Sequence, residues 1–301
     1  MAANMDLDKF REAGRIAGTV REFGKGLIQP GVRLAEIVQA CDDKIREMGG
    51  EPAFPAQISR NHIAAHYCPA PDDPQLVEKG DILKLDLGAH VDGYVADNAV
   101  TVDLRDGNDS PLCLASKMAL ENVIANVGPG VIVSELGRIV YDTITALGFK
   151  PVYNLTGHGV ARYQVHCKPQ IPNYDDKKSI RLKPGQVIAV EPFATDGEGY
   201  INEVGKAEVF QLVRPLKKKD KLDSRIEVFL RATNRLPFAR RDLHRHFSST
   251  ESELVLGTLR KKRLIHEYPP LAEKEGVRIS QHEHTIMITE SGAEVTTRVA
   301  S

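Results

Sequence analysis

The chain has 301 residues, 42% of them hydrophobic, with 40 Lys+Arg against 41 Asp+Glu. That is enough apolar material for one large soluble domain, or for a domain carrying an insertion. No run of 18 apolar residues marks a membrane span, and the opening MAANMDLDKF lacks the basic start and apolar core of a secretory leader, so a cytoplasmic location is expected. The four cysteines, Cys41, Cys68, Cys113 and Cys167, are scattered without a CxxC pair, which speaks against a disulfide framework or a thiolate zinc site. Cys41 and Cys113 fall in apolar helical patterns and read as core.

In chain order, Leu7, Phe10, Ile16, Val20 and Leu27 mark an amphipathic helix, and Leu34, Ile37, Val38, Cys41, Ile45 and Met48 mark a second that stops at Gly49-Gly50. His62 and His66 follow at a zincin-like spacing, but HIAAH has no glutamate after its first histidine, so that mechanism lacks its base. Next comes LKLDLGAHVDGYVADNAVTVD, in which Asp92-Gly93 predicts a two-residue hairpin turn. Strand residues then pair when their numbers sum to 185, which sets Asp97 opposite Gly88 and Asp86 two residues along the same face. The two aspartates become diagonal neighbours, roughly 7–8 Å apart at the backbone. Two like charges so close on a buried face repel and lose hydration. Either a metal ion lies between them, or both sit on a solvated sheet edge.

The helix pattern then returns. PGVRLAEIVQACDDKIREMGGEP (30–52) aligns without a gap on PGVIVSELGRIVYDTITALGFKP (129–151), 99 residues later, with both prolines and the helix-stop glycine matched. Two similar α/β halves facing one another are expected, with loops and strand faces converging between them. Three more ligand-type residues follow in strand-like segments: His158 in NLTGHGVARYQVH, Glu191 at the end of GQVIAVEPFA, and Glu283 in RISQHEHTIMIT. Singly, each has an ordinary reading, a core or surface histidine or a strand-edge charge. Jointly, four carboxylates and one imidazole suit two divalent ions held by bridging carboxylates. From Arg214 to Arg263 the chain carries 15 Lys+Arg against 6 Asp+Glu, while the remainder is acidic by about the same margin. An inserted basic helical subdomain over 206–270 is expected, leaving 1–205 and 271–301 as the catalytic body. Its cations read either as an RNA-binding patch, such as one for a ribosome, or as a solvated helical face.

Taken in order, LKLDLGAHVDGYVADNAVTV, NHIAAHY, GHGVARYQVH, VEPFA, EYPPL and QHEHTI resemble a type II methionine aminopeptidase of the archaeal branch, over nearly the full chain. The eleven-residue spacing of the aspartates, the YPPL segment and the insertion carry the distinction from type I enzymes. The resemblance implies an α/β pita-bread fold with two pseudo-symmetric halves. It implies two divalent ions (Co, Mn, Fe or Zn), with Asp97 and Glu283 bridging, Asp86 completing one shell and His158 and Glu191 the other. It also implies a metal-activated hydroxide attacking the first peptide bond, with Glu191 moving the proton. His66 then contacts the reacting end of the substrate, His166 the scissile carbonyl, and Phe54 and Tyr268 the methionine side chain. The implied task is removal of initiator methionine from nascent chains, by a monomer with no membrane partner. Two rivals share the fold: an Xaa-Pro peptidase, and a non-catalytic RNA- or ribosome-binding protein.

Overall fold

The computed structural model describes residues 6–299, so residues 1–5, on which part of the leader reading rests, lie outside the described residues. The Asp6 carboxylate accepts from the Lys9 amide and starts α1 (Leu7–Leu27), whose apolar stripe packs beside α2 (Leu34–Glu47). Then come β1 (Glu51–Arg60), β2 (Ile63–Ala65), β3 (Ile82–Val91) and β4 (Tyr94–Asp103). β1, β3 and β4 form an antiparallel sheet in that order, and α1 and α2 cover one of its faces with a core that includes Ile16, Val20, Ile37, Leu85 and Leu87.

The second half repeats the plan with α3 (Pro111–Ile124), α4 (Val133–Ala146), β5 (Lys150–Pro151), β6 (Thr156–Ala161), β7 (Gln164–Pro172), β8 (Val187–Val190) and β9 (Phe193–Thr195). α2 and α4 begin and end 99 residues apart, as the aligned segments require. Gly49 and Gly148 follow them at φ +86° and +84°, a left-handed conformation that stops a helix and suits glycine. Even the isolated bridges that precede the helices, Arg33 to Leu76 and Ile132 to Arg181, are equivalent.

After β10 (Asn202–Glu203) the basic region contains β11 (Val209–Leu212), α5 (Ser224–Ala232), β12 (Phe238–Ala239), α6 (Arg240–Leu243), α7 (Ser249–Lys261) and β13 (Ile265–Tyr268). Helices were expected here, but a three-stranded sheet ordered β12-β11-β13 lies with them around a separate core that includes Phe210, Leu230, Phe238, Leu256 and Leu259. The run SELVLGTLRKKRLI, which reads as helix throughout, leaves the helix at Lys261 and turns at Arg263, φ +53°, into β13. The chain ends with β14 (Leu271–Ala272), β15 (Ile279–Gln281), β16 (His284–Ile288) and β17 (Ala293–Val295), and the second half's sheet is ordered β17-β16-β8-β6-β7. Among the described residues no helix is long and apolar enough to cross a membrane.

One cation of the insertion is buried against the body. Arg241 lies 2.6 Å from Asp42 of α2, with side chains 7% and 2% exposed, and donates to the Ala56 carbonyl at 2.9 Å. Asp42 in turn accepts from the Ala56 amide.

Candidate metal centre

The hairpin turn sets the first two carboxylates. Asp92 and Gly93 both adopt positive φ, +50° and +88°, as a type I′ turn demands. The resulting register pairs Gly88 with Asp97 and Asp86 with Ala99. Asp97 is 3% exposed, so the face it occupies is not a solvated edge. Glu283 falls in the break between β15 and β16, and its amide donates to the Ala99 carbonyl at 3.0 Å, which brings the last strands of the chain alongside β4.

His158 arrives from β6. Its Nε2 stands 3.7 Å from Asp97 Oδ2 and 3.6 Å from Glu191 Oε1, at the end of β8. Its Nδ1 lies 3.2 Å from the Gly159 carbonyl, which favours the tautomer that leaves the Nε2 lone pair facing the carboxylates. Asp97, His158 and Glu283 each present one ligand atom, all within 4.8 Å of one another. Asp86 and Glu191 close the same space, where the Gln281 amide reaches Asp86 at 3.3 Å, Glu283 at 3.4 Å and Glu191 at 3.5 Å.

The donor set fits divalent cations. Asp86 Oδ1, Asp97 Oδ1 and Glu283 Oε1 are buried without a hydrogen-bond partner among the described residues, a costly state for anionic oxygens. Burial, reinforced by the neighbouring carboxylates, pushes the carboxyls of Asp97, Glu191 and Glu283 well above the usual range. Burial also raises that of Asp86 to about 7. Four ionised carboxylates cannot share this space alone, so either protons or cations must be taken up. Burial, and then nearby His166, pushes His158 down to about 3, so the imidazole is neutral and able to ligate.

These five side chains share one cavity of about 300 Å³ with His66, His166, Phe54 and Tyr268. His66 sits at φ +65°, a strained conformation for a non-glycine residue, with its ring edge-on to Tyr268 at 5.5 Å. Burial, chiefly, lowers its pKa to about 4. His166 is exposed at the mouth, its ring 4.3 Å from that of His158. Phe54 is buried in β1 and lies over Gly88, where a Cβ would fall 2.5 Å from its ring. His62 does not line this cavity: it and His66 flank the short strand β2, so the HIAAH spacing does not present both rings together.

Other lining residues carried no sequence signal. Val209 and Pro237 come from the insertion and, with Tyr268, wall the cavity from that side; Gln281, a polar residue of β15, is not part of the lining but reaches its carboxylates.

Residues 8–290 match metallopeptidase family M24. The chain belongs to that family. It is 42% identical to the methionine aminopeptidase of Methanocaldococcus jannaschii over 294 residues, 97% of this chain and 98% of that protein. It is also 42% identical to the methionine aminopeptidase of Pyrococcus horikoshii, over 97% and 100% of the two chains. Among solved structures, a methionine aminopeptidase from Thermotoga maritima superposes with a TM-score of 0.70 at 22% identity, over 97% and 96% of the chains. A thermophilic Arx1 gives 0.84 at 16%, over 99% and 92%. Prolidase from Pyrococcus furiosus gives 0.61 at 19%, over 98% of this chain and 64% of that one. At these identities the structural likenesses establish the pita-bread fold of the M24 proteins, and the carboxylate-lined cavity lies where the two halves of that fold meet.

Proposed function

We propose that this M24 chain removes N-terminal methionine from nascent proteins, as an aminopeptidase that uses two divalent ions held by Asp86, Asp97, His158, Glu191 and Glu283. The observation that carries the reading is the group of orphaned carboxylate oxygens beside a neutral imidazole, in a cavity of about 300 Å³. Asp97 and Glu283, from different halves of the fold, are the two carboxylates suited to bridging, with Asp86 on one side and His158 and Glu191 on the other. Bound ions would supply Lewis acidity and bring the pKa of a shared water toward neutrality. Mn, Fe, Co and Zn all suit such a shell.

The chain's own groups supply the remaining steps. Glu191 takes a proton at its carboxylate and returns it to the departing amine. His166, at the mouth, donates a hydrogen bond to the scissile carbonyl oxygen, where negative charge develops. His66, fixed by its backbone and by Tyr268, touches the amino end of the substrate. Phe54 and Tyr268 wall the space for one unbranched side chain. The identity of the archaeal relatives, above 40% over almost the full length, supports methionine over an Xaa-Pro specificity.

Chelator-stripped protein supplied with Mn, Fe or Co should cleave Met-Ala-Ser and leave an X-Pro peptide intact. Failure with every metal, or undiminished cleavage in excess chelator, would refute the reading.

The same reading places the monomer in the cytoplasm, next to the ribosome. Lys217, Lys218, Lys219, Lys261, Lys262 and Arg263 are all exposed and, among the described residues, unpaired. The Val213 amide donates to the Leu264 carbonyl at 3.0 Å, so the two basic runs leave the small sheet side by side. A paired basic surface suits ribosomal RNA. Cosedimentation with ribosomes that falls steeply with added salt is expected. Salt-insensitive or absent cosedimentation would remove RNA from the account.

A further inference from the structure

The two halves of the molecule meet along β4 and the β15–β16 segment, and that seam is not an ordinary ladder. Its partners are Asp97 with Thr285, Ala99 with Glu283, and Thr101 with Gln281, in antiparallel order. Only the middle pair makes a direct backbone bond, Glu283 amide to Ala99 carbonyl, at 3.0 Å. At each outer pair a threonine hydroxyl takes its place. Thr285 Oγ1 accepts from the Asp97 amide at 2.7 Å and donates to the Asp97 carbonyl at 2.7 Å. Thr101 Oγ1 accepts from the Gln281 amide at 2.8 Å and donates to the Gln281 carbonyl at 2.6 Å. An interposed hydroxyl holds backbones further apart than the roughly 4.8 Å of a regular ladder. Side chains from both strands can therefore turn into the opening.

Gln281, at one end of this seam, is fully buried. Its Nε2 faces Asp86 Oδ2, Glu191 Oε2 and Glu283 Oε2. In Asp86 and Glu283 the other oxygen, Oδ1 and Oε1 respectively, is the one left without a partner.

We infer that Gln281, set in place by the Thr101 hydroxyl, is a positioning residue for the metal centre: its amide shares its two N–H groups among the facing oxygens of Asp86, Glu283 and Glu191, and turns the other oxygen of Asp86 and of Glu283 toward the cation. This rests on the metal-binding reading above. A primary amide suits the task because it donates without adding charge. A lysine or arginine in its place would neutralise the carboxylates and compete with the ions they are to bind. Groups that orient ligands in this way change metal affinity about 10- to 100-fold when removed.

Mn²⁺ titration calorimetry on the full chain tests this with no turnover involved. Gln281→Met keeps the volume and removes the amide; it should fold, retain the wild-type stoichiometry and bind Mn²⁺ about 10- to 100-fold more weakly. Should that variant fail to fold, the Thr101 pair decides: Thr101→Val should weaken binding, whereas Thr101→Ser, which keeps the hydroxyl, should restore it. A folded Gln281→Met with a wild-type Kd overturns the inference, as does a Thr101→Val that binds as well as Thr101→Ser. A wild-type chain that takes up no Mn²⁺ overturns the inference together with the metal-binding reading beneath it.

Discussion

Asp97 shows at the scale of one residue what the site costs and what relieves the cost. Burial and the nearby Asp86 carboxylate raise its folded pKa, so the metal-free protein holds a proton here that the unfolded chain releases near pH 4. A group of this kind stabilises the fold at low pH and loses that contribution as pH rises through its folded pKa. Asp97→Asn removes the liability and, with it, one proposed ligand. In excess chelator the variant should melt above the wild type by about 2–4 °C for each kcal/mol relieved, with the gap opening as pH rises above about 4, where the unfolded carboxyl ionises. With Mn²⁺ the order should reverse, and turnover of Met-Ala-Ser should fall by more than about 100-fold. A variant that melts below the wild type in chelator at pH 8 would mean that the carboxylates do not repel. The aspartates were legible in the sequence because charge in an apolar strand is anomalous. Gln281, Thr101 and Thr285 were not, because uncharged polar residues are common in strands and their partners lie about 180 residues away.

The β3–β4 hairpin is the element that turns sequence into site geometry. Its turn dipeptide fixes the register, and the register fixes which face each aspartate takes, so this part of the centre could be read from a 21-residue stretch. Phe54 on β1 could be named from the resemblance but its contact could not, since bulges between Pro52 and Phe54 and between Phe54 and Gln57 break the alternation that a reader counts on. The contact has a consequence. A Cβ at position 88 would lie 2.5 Å from the Phe54 ring, so Gly88→Ala should push the ring toward the space proposed for methionine. We expect kcat/KM for Met-Ala-Ser to fall about 10-fold or more, with Mn²⁺ affinity held within a factor of about two. Steady-state kinetics and calorimetry on the same preparation check it, and unchanged kinetics would show that Phe54 does not wall the substrate. The strands of the insertion went unread for a simpler reason: at two to four residues they are too short to show a period.

For the whole molecule, the 99-residue echo pointed to two similar halves and the charge shift marked off a basic segment, but neither showed how that segment packs on the rest. Its one buried ion pair with the body is Arg241 with Asp42, beside an apolar contact of Cys68 with Val209, Ala239 and Tyr268, among the described residues, and the insertion supplies Val209, Pro237 and Tyr268 to the cavity wall. Removing one partner of such a pair leaves the other charge buried and unpaired, a loss of about 3–5 kcal/mol, whereas replacing both with apolar or neutral groups is far milder. Arg241→Met should therefore destabilise the protein strongly, and Asp42→Asn combined with Arg241→Met should recover most of the loss. In the double variant the ligands are untouched, so Mn²⁺ affinity should stay at the wild-type level. The wall is held less firmly, so KM for Met-Ala-Ser should rise while kcat changes little. Denaturant unfolding of the single and double variants measures the first effect, and steady-state kinetics the second. A double variant with unchanged KM would show that the wall stays in place without the ion pair, and equal stability of the single and double variants would show that Asp42 is not stranded when Arg241 is lost.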